Sequence, residues 1–242
     1  GSIRSDKTSR FSKDQQDDLF PSASIGWVID KESFFNSSLF NSMKLRVSYG
    51  EIGNQSLPAS NPDVNISALN DGTAFYSFTG ARGNVSTGAA LASVGNPNLT
   101  WETSVTQNIG LDFSMLNSKL SGSLEYFKNT TKDLIVRDNS VISTTAIDAG
   151  APFVNLGEVQ NTGVDLALSY SNEASSGLKY NINLNVSSYK NEVISLVNDT
   201  PAFGDNFREG SVTRTAVGEP ISHFYGKPHK GLDSSGRLNF ID

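Results

Sequence analysis

Apolar and polar residues alternate along most of the chain, and the stretch "KYNINLNVS" at 179–187 shows the pattern most clearly. The apolar positions are Tyr180, Ile182, Leu184 and Val186, and the polar positions are Asn181, Asn183 and Asn185. Successive side chains of a β-strand point to opposite sides of the sheet, so this pattern predicts a strand with one apolar and one polar face. Helical periodicity is hard to find outside the short segment 32–41.

The same alternation predicts several long strands whose connections differ in length. The predicted strands lie at 1–4 (the end of a strand), 20–30, 42–52, 100–115, 119–131, 155–171, 177–192 and 213–226. Short turns are expected at Asn117 and Ser175, and long connections at 53–99, 132–152 and 193–212. Outer-membrane β-barrels have short periplasmic turns, long extracellular loops and spanning strands of about 9–11 residues. The pattern therefore favours an antiparallel transmembrane β-barrel, in which the long connections are extracellular.

A soluble β-sandwich is the alternative fold, because it also contains strands with one apolar face. Strands in soluble sheets are usually shorter, at about 5–6 residues. In a sandwich the apolar side chains would pack on a second sheet, whereas in a barrel they would face lipid. The three asparagines would then face a hydrated lumen. A soluble adhesin or carbohydrate-binding module is the functional counterpart of the sandwich.

Composition excludes several other classes of protein. The net charge is −6 with a pI near 5.0, and the chain lacks the basic surface that binding to nucleic acid requires. The chain contains no cysteine, which excludes disulfides, thiol nucleophiles and cysteine-based zinc sites. No stretch approaches the roughly 20 apolar residues of a membrane-spanning helix. The glycine-rich "FTGARGNVSTG" lacks the Gly-Lys-Ser/Thr ending of a phosphate-binding loop, so no cofactor is expected.

Charged and amide residues on the polar faces of the predicted strands are the candidates for a lumen wall. They are Lys44, Arg46, Glu102, Asp112, Glu125, Asp165, Asn181, Asn183 and Asn185. A glycosidase would need two of the carboxyl groups about 5–10 Å apart, but a hydrated lumen accepts the same acids, so an enzyme is the less favoured interpretation. His223 and His229 lie six positions apart with no cysteine, which argues against a metal site.

Aromatic residues fall into two groups by their position along the chain. Several lie near predicted strand ends, where aromatic rings of a barrel form girdles at the membrane boundary. These residues are Trp27, Tyr49, Trp101, Tyr126, Tyr170, Tyr180 and Tyr189. Phe75, Tyr76 and Phe78 instead belong to the longest connection. They are candidate extracellular contacts for a partner or a cargo, and packing within the loops is the alternative.

Five ordered stretches resemble the SusC/RagA family of TonB-dependent outer-membrane transporters. They are "GSIRSDKTSRFS" with "LFPSASIGWVI", "MKLRVSYGEIGNQ", "NPNLTWETSVTQNIGLDFSMLNSKLSGSLEYFKNTTKDLI", "NLGEVQNTGVDLALSY" and "VGEPISHFYGKPHKGL". The resemblance implies that residues 1–242 are part of the C-terminal half of a barrel of 22 strands. The plug, the N-terminal extension and the strands that close the barrel would then lie outside these residues.

The resemblance also implies a function, a location and partners. The expected function is TonB-dependent import of large nutrients, either oligosaccharides or peptides, across the outer membrane of a Gram-negative bacterium. Expected partners are a SusD-like surface lipoprotein over the extracellular mouth, TonB acting through the plug, and the lipid bilayer. No catalytic residue is implied.

Overall fold

Seven long antiparallel strands form one sheet that contains most of the regular structure. The computed structural model describes the chain except for residues 57–67, 78–85, 139–150, 197–201, 204–205, 208–209, 227, 233 and 241–242. The sheet has the strand order β1-β2-β3-β6-β7-β10-β11. Its strands are β1 (Ser2–Lys7), β2 (Asp17–Val28), β3 (Phe40–Asn54), β6 (Glu102–Met115), β7 (Leu120–Lys132), β10 (Gly157–Glu173) and β11 (Lys179–Leu196). The predicted all-β antiparallel fold is confirmed.

Shorter strands form separate small sheets, either within the longer connections or in the chain that follows β11. They are β4 (Ala68–Tyr76), β5 (Ser86–Ser93), β8 (Ile135–Arg137), β9 (Phe153–Asn155), β12 (Ala202–Phe203), β13 (Asn206–Phe207), β14 (Gly210–Ser211), β15 (Thr213–Thr215), β16 (His223–Phe224), β17 (His229–Leu232) and β18 (Leu238–Phe240). β4 pairs with β5 and β8 pairs with β9. Two short 3-10 helices, Lys13–Gln15 and Ile29–Lys31, flank β2.

Consecutive strands of the main sheet are neighbours, so the connections alternate between its two ends. The connections of residues 29–39, 116–119 and 174–178 lie at one end, and those of 8–16, 55–101 and 133–156 lie at the other. Turns were predicted at Asn117 and Ser175, and both positions are confirmed. Leu116, Asn117 and Ser118 all have positive φ values near 55–61°, which gives the tight reversal between β6 and β7.

One strand prediction was wrong. Residues 213–226 do not form a strand of the main sheet, because only β15 and β16 form there, and they belong to a separate three-stranded sheet in which β15 pairs with both β12 and β16. The long connection predicted at 53–99 is present, and it contains the β4–β5 hairpin. Residues 32–41, where the helical periodicity occurs, form no α-helix and lie mostly in the connection between β2 and β3.

Six buried side chains form a hydrophobic cluster at the end of the sheet with the longer connections. They are Phe11, Phe20, Leu99, Trp101, Ile135 and Phe153. The rings of Phe11 and Phe20 both meet Trp101 edge-on, with centroids 5.7 and 5.6 Å away. Since the cluster joins the connections to the sheet, it fixes that end of the strands. Among the described residues, no helix is long and apolar enough to cross a membrane.

Candidate functional site: the two faces of the sheet

The cross-strand register gathers the alternating residues of all seven strands into two opposite faces. On β10 and β11, Leu168 pairs with Leu184, and the next positions, Ser169 and Asn183, pair with each other. The same alternation continues through β7, β6 and β3, because their pairing is regular over the central rows. We call the two sides the apolar face and the polar face. The predicted separation of the two residue sets of "KYNINLNVS" is confirmed by this register.

Large side chains on the apolar face are exposed to solvent in the described part of the molecule. Ile25 on β2 is 72% exposed and Ile182 on β11 is 60% exposed. Similar exposure extends across the strands between them, at Val47, Ile109, Leu124, Tyr126 and Val164. A β-sandwich would bury this face against a second sheet. The described residues contain no such layer, so the sandwich alternative is not supported.

The apolar residues form a belt that crosses the hydrogen-bonded rows at an angle. On β3 the belt ends at Tyr49, whose row continues through Gln107, Lys128 and Thr162 to Lys190 on β11. On β11, however, the belt already ends at Val186. We use "apolar belt" for these apolar-face positions: Met43–Tyr49 on β3, Ile109–Met115 on β6, Leu120–Tyr126 on β7, Val164–Tyr170 on β10 and Tyr180–Val186 on β11.

The slope of the belt border gives an estimate of strand tilt. Four residues of β-strand span about 13 Å, and four inter-strand spacings span about 19 Å. A border that moves about 13 Å along the strands while it crosses about 19 Å of sheet is inclined by about 35° to the rows. If the border follows a membrane surface, then the strands are tilted from the membrane normal by this angle. Transmembrane β-barrels have tilts of about 35–45°, so the slope of the belt agrees with such a wall.

On the polar face, Arg46 joins three strands through an ion-pair cluster. Arg46 Nε and Nη2 donate to the two carboxylate oxygens of Asp112 at 2.7 and 3.1 Å, and Nη1 lies 3.2 Å from Glu125 Oε2. Gly110 separates Arg46 from Glu125 in their row. A Cβ atom on Gly110 would lie 2.7 Å from Nη2 of Arg46, so the guanidinium reaches across β6 because this position is glycine.

The other predicted polar-face residues also lie on this side, but not all are close together. Lys44 pairs with Asp112, and Glu125 pairs with Asp165, which accepts a hydrogen bond from Ser187. Glu102 lies on β6 eight positions from the row of Glu125, or about 27 Å along the strand. It accepts hydrogen bonds from Asn54 Nδ2 and the Ile135 N–H. Glu102 and Asp165 therefore do not form a catalytic carboxyl pair.

Asparagine and serine cover the polar face near the short turns. Asn181 Nδ2 donates to Ser171 Oγ at 2.6 Å, and Asn183 Nδ2 donates to Asn181 Oδ1 at 2.6 Å. Asn185 faces Ala167 in the adjoining row. An open cavity of about 530 Å³ on this side is lined mainly by serine and asparagine. Neutral amide and hydroxyl groups dominate this part of the face.

An aromatic row crosses the polar face above the acidic residues, and sequence reasoning missed it. Phe127 pairs with Gly163, and Gly163 pairs with Tyr189, so all three share one row. Tyr189 was expected in a membrane girdle. This prediction is wrong, because Tyr189 lies on the polar face with its strand neighbours Ser187 and Asn191. The girdle assignment of Trp101 is also wrong, since Trp101 is only 4% exposed within the hydrophobic cluster. The available sequence signal was the alternation along each strand, because Phe127 lies two positions from Glu125 and Tyr189 lies two positions from Ser187.

The candidate loop contacts are only partly covered by the structure. Phe75 lies on β4 opposite Thr87 and is 64% exposed. Tyr76 ends the same strand. Phe78 lies outside the described residues. His223 Nδ1 contacts the Pro220 carbonyl, and among the described residues no cluster of metal-binding side chains occurs.

Comparison with known proteins identifies relatives of the whole described sheet. A family model described as "TonB dependent receptor-like, beta-barrel" matches residues 1–223. TonB-dependent receptor P26 of Formosa agariphila is 30% identical over 243 residues, covering 96% of this chain and 23% of that protein. TonB-dependent receptor SusC of Bacteroides thetaiotaomicron is 28% identical over 233 residues, covering 92% of this chain and 22% of that protein.

Solved structures show the same fold. The RagAB peptide transporter superposes with a TM-score of 0.78 at 23% identity, covering 98% of this chain and 25% of the matched chain. The RagAB peptide importer in its open-open state gives a TM-score of 0.77 at 22% identity, covering 98% of this chain and 24% of that chain. The chain thus spans about a quarter of the length of these relatives. The resemblance to SusC and RagA that the motifs indicated is confirmed.

Proposed function

Because the chain belongs to the TonB dependent receptor-like β-barrel family, we propose that its seven-stranded sheet is a section of the barrel wall of an outer-membrane nutrient importer. The apolar belt faces lipid, and the polar face lines the lumen. The observation that carries this proposal is the oblique border of the belt, because a sheet inclined to a flat membrane requires such a border. A sheet packed on a second soluble layer does not.

The transported class is large nutrients, either oligosaccharides or peptides, moved by TonB-dependent import. The name SusC belongs to one relative, and peptide transport is stated for the RagAB structures. Residues 1–242 form part of the C-terminal half of the barrel in this proposal. TonB acts through a plug outside these residues, and the host is a Gram-negative bacterium.

A SusD-like surface lipoprotein is the proposed partner at the end of the sheet with the longer connections. Phe75 supports this assignment, because an exposed aromatic side chain on a surface hairpin suits a protein contact. Tyr76 and Phe78 are proposed to contribute to the same contact. Packing against other loops of the barrel is the competing explanation.

Import and partnership are tested with the full-length gene product in its native host. Cells that carry the gene should accumulate labelled oligosaccharide or peptide, and deletion of the gene or of TonB should abolish the accumulation. Purification of the product from outer membranes should also recover a surface lipoprotein. A product found in the soluble fraction, or uptake that persists without TonB, would contradict the proposal.

The loop contact is tested by replacing Phe75, Tyr76 and Phe78 together with serine. The expected result is loss of the co-purifying lipoprotein while the barrel still assembles. Replacement of Phe34, an exposed phenylalanine in the connection at the opposite end of the sheet, is the matched control. If the triple variant retains both the lipoprotein and normal uptake, then the loop has no partner role.

A further inference from the structure

The aromatic row on the polar face places two ring side chains on either side of one glycine. Phe127, Gly163 and Tyr189 occupy adjacent positions on β7, β10 and β11. A Cβ atom on Gly163 would lie 2.6 Å from Phe127 Cζ, so the tip of the Phe127 ring covers the glycine. Tyr189 stands on the other side of the glycine and is 69% exposed. Two aromatic side chains thus interrupt a wall otherwise made mainly of serine, asparagine and charged residues.

The row above the aromatic pair consists of amides held in place by hydrogen bonds. Asn129, Asn161 and Asn191 pair across the same three strands. Asn191 Nδ2 donates to Asn161 Oδ1 at 2.8 Å, and Asn191 Oδ1 accepts the N–H of Ile221 at 2.8 Å. These bonds fix the orientation of the Asn191 amide before any ligand arrives. Amide groups both donate and accept hydrogen bonds, as sugar hydroxyls do.

The row below the aromatic pair supplies hydrogen-bond acceptors and a hydroxyl. Glu125, Asp165 and Ser187 pair across the same strands. Arg46 is shared between Glu125 and Asp112, whereas Asp165 contacts the neutral Ser187 hydroxyl. The local charge is therefore negative beside the aromatic row. This charge disfavours acidic sugars and favours neutral ones.

Packing alone does not account for Tyr189. Aromatic residues often cover a glycine in a neighbouring strand, and Phe127 already does so at Gly163. Among the described residues, β11 is the edge strand of the sheet, and the ring of Tyr189 is left largely uncovered on its polar face. A pyranose or furanose ring matches this surface, because its C–H face is apolar and its hydroxyls project from the edge. The C–H face would lie on the aromatic ring while the hydroxyls reach the two polar rows.

We propose that Phe127 and Tyr189, with Asn161, Asn191 and Asp165, form a subsite for a neutral saccharide ring on the polar face. This inference rests on the proposed import function and names its cargo class as neutral oligosaccharide. Tyr189 supplies the stacking surface, Phe127 supports it, and the amide and carboxylate rows bind hydroxyl groups. Acidic saccharides are the cargo class that this chemistry disfavours.

The test measures binding of labelled neutral gluco-, manno-, xylo- and fructo-oligosaccharides to the full-length protein purified in detergent. Tyr189→Ala should weaken the oligosaccharide that binds wild type by roughly tenfold, and Tyr189→Phe should retain its affinity. Tyr180→Ala is the matched control, because Tyr180 lies on the same strand but on the apolar face. A uronic-acid oligosaccharide of similar length should bind more weakly than the neutral one.

Three outcomes would overturn the subsite. The first is that wild type binds none of the neutral oligosaccharides. The second is equal affinity in wild type and Tyr189→Ala. The third is that Tyr189→Ala lowers only the thermal stability of the barrel, which would show that a neighbouring strand or the plug covers the ring. Uptake by cells distinguishes failure of the subsite from failure of the proposed function. If import continues unchanged in Tyr189→Ala, the importer is intact and only the subsite is refuted.

Discussion

An arginine placed at Leu184 should destabilise the protein far more than an arginine placed at Asn185. The two positions are adjacent on β11 but lie on opposite faces. Leu184 lies within the belt segment from Tyr180 to Val186, with apolar-face residues on both sides. Asn185 faces Ala167 among polar neighbours. If the apolar belt faces lipid and the polar face lines the lumen, as proposed, the pair compares the same charge at nearly the same depth in these two environments.

The magnitude follows from the depth of Leu184. The belt segment on β11 extends about 20 Å along the strand, or about 16 Å along the membrane normal after correction for the tilt. Arginine on the lipid face costs about 2–4 kcal/mol at the midplane and about 0–1 kcal/mol near the interfaces. Leu184 lies between these limits but closer to the middle, so we expect about 2–3 kcal/mol for Leu184→Arg. Asn185→Arg should stay within about 0.5 kcal/mol of wild type.

The measurement is reversible urea unfolding of the full-length protein in lipid vesicles, with assembly checked by heat-dependent mobility on gels. Leu184→Met is the control for side-chain shape, because it keeps the position apolar. Tyr180→Arg, at the edge of the belt, should cost less than Leu184→Arg. Equal losses at 184 and 185, or a greater loss at 185, would refute the assignment of the two faces.

Three further experiments test the tilt, the aromatic row and the short-turn end of the sheet. Residues 1–242 contain no cysteine, so a single introduced cysteine is the only labelling site in them. A fluorophore at position 49 should be quenched by spin-labelled lipid tails and one at position 190 should not, although Tyr49 and Lys190 share a row, and equal quenching would contradict the tilt. Gly163→Ala should cost about 1–3 kcal/mol in urea unfolding, because its Cβ would lie 2.6 Å from both Phe127 Cζ and the Ser188 carbonyl oxygen, and a variant as stable as wild type would show that the neighbours relax freely. The N–H of Met43 donates to Asp30 and lowers the pKa of that carboxyl below its ordinary value. Since a lowered pKa stabilises the fold above the ordinary value and this stabilisation is lost as pH falls through the lowered pKa, the stability advantage of wild type over Asp30→Asn should shrink below about pH 4, and an advantage that is constant with pH would refute this role.

Several properties of the wall could be predicted because they depend only on neighbours along the chain. The two-residue period placed Tyr180 and Asn181 on opposite faces, and the turn chemistry of Asn117 located a reversal. Long strands with unequal connections then favoured a membrane barrel over a sandwich. These predictions succeeded because a strand exposes alternate residues whatever its partners are.

The candidate residues of the polar face were recognised one strand at a time, but their grouping was not. Arg46 meets Asp112 and Glu125 because Gly110 leaves space between them, and these residues come from three strands. Glu102 carries the same kind of charge on the same face but lies far along β6. The alternation of faces along each strand cannot distinguish Glu102 from the Arg46 cluster, because it contains no information about which residues of neighbouring strands pair.

The sequence by itself determined the strands, the short turns, the family resemblance and the division of each strand into apolar and polar positions. Only the tertiary structure decided the register, and with it the oblique border of the belt and the row of Phe127, Gly163 and Tyr189. It also decided that Trp101 is buried in a cluster and that residues 213–226 leave the main sheet. The physical reason is that alternation is a local property of extended backbone, whereas register depends on hydrogen bonds and packing between segments far apart in the chain.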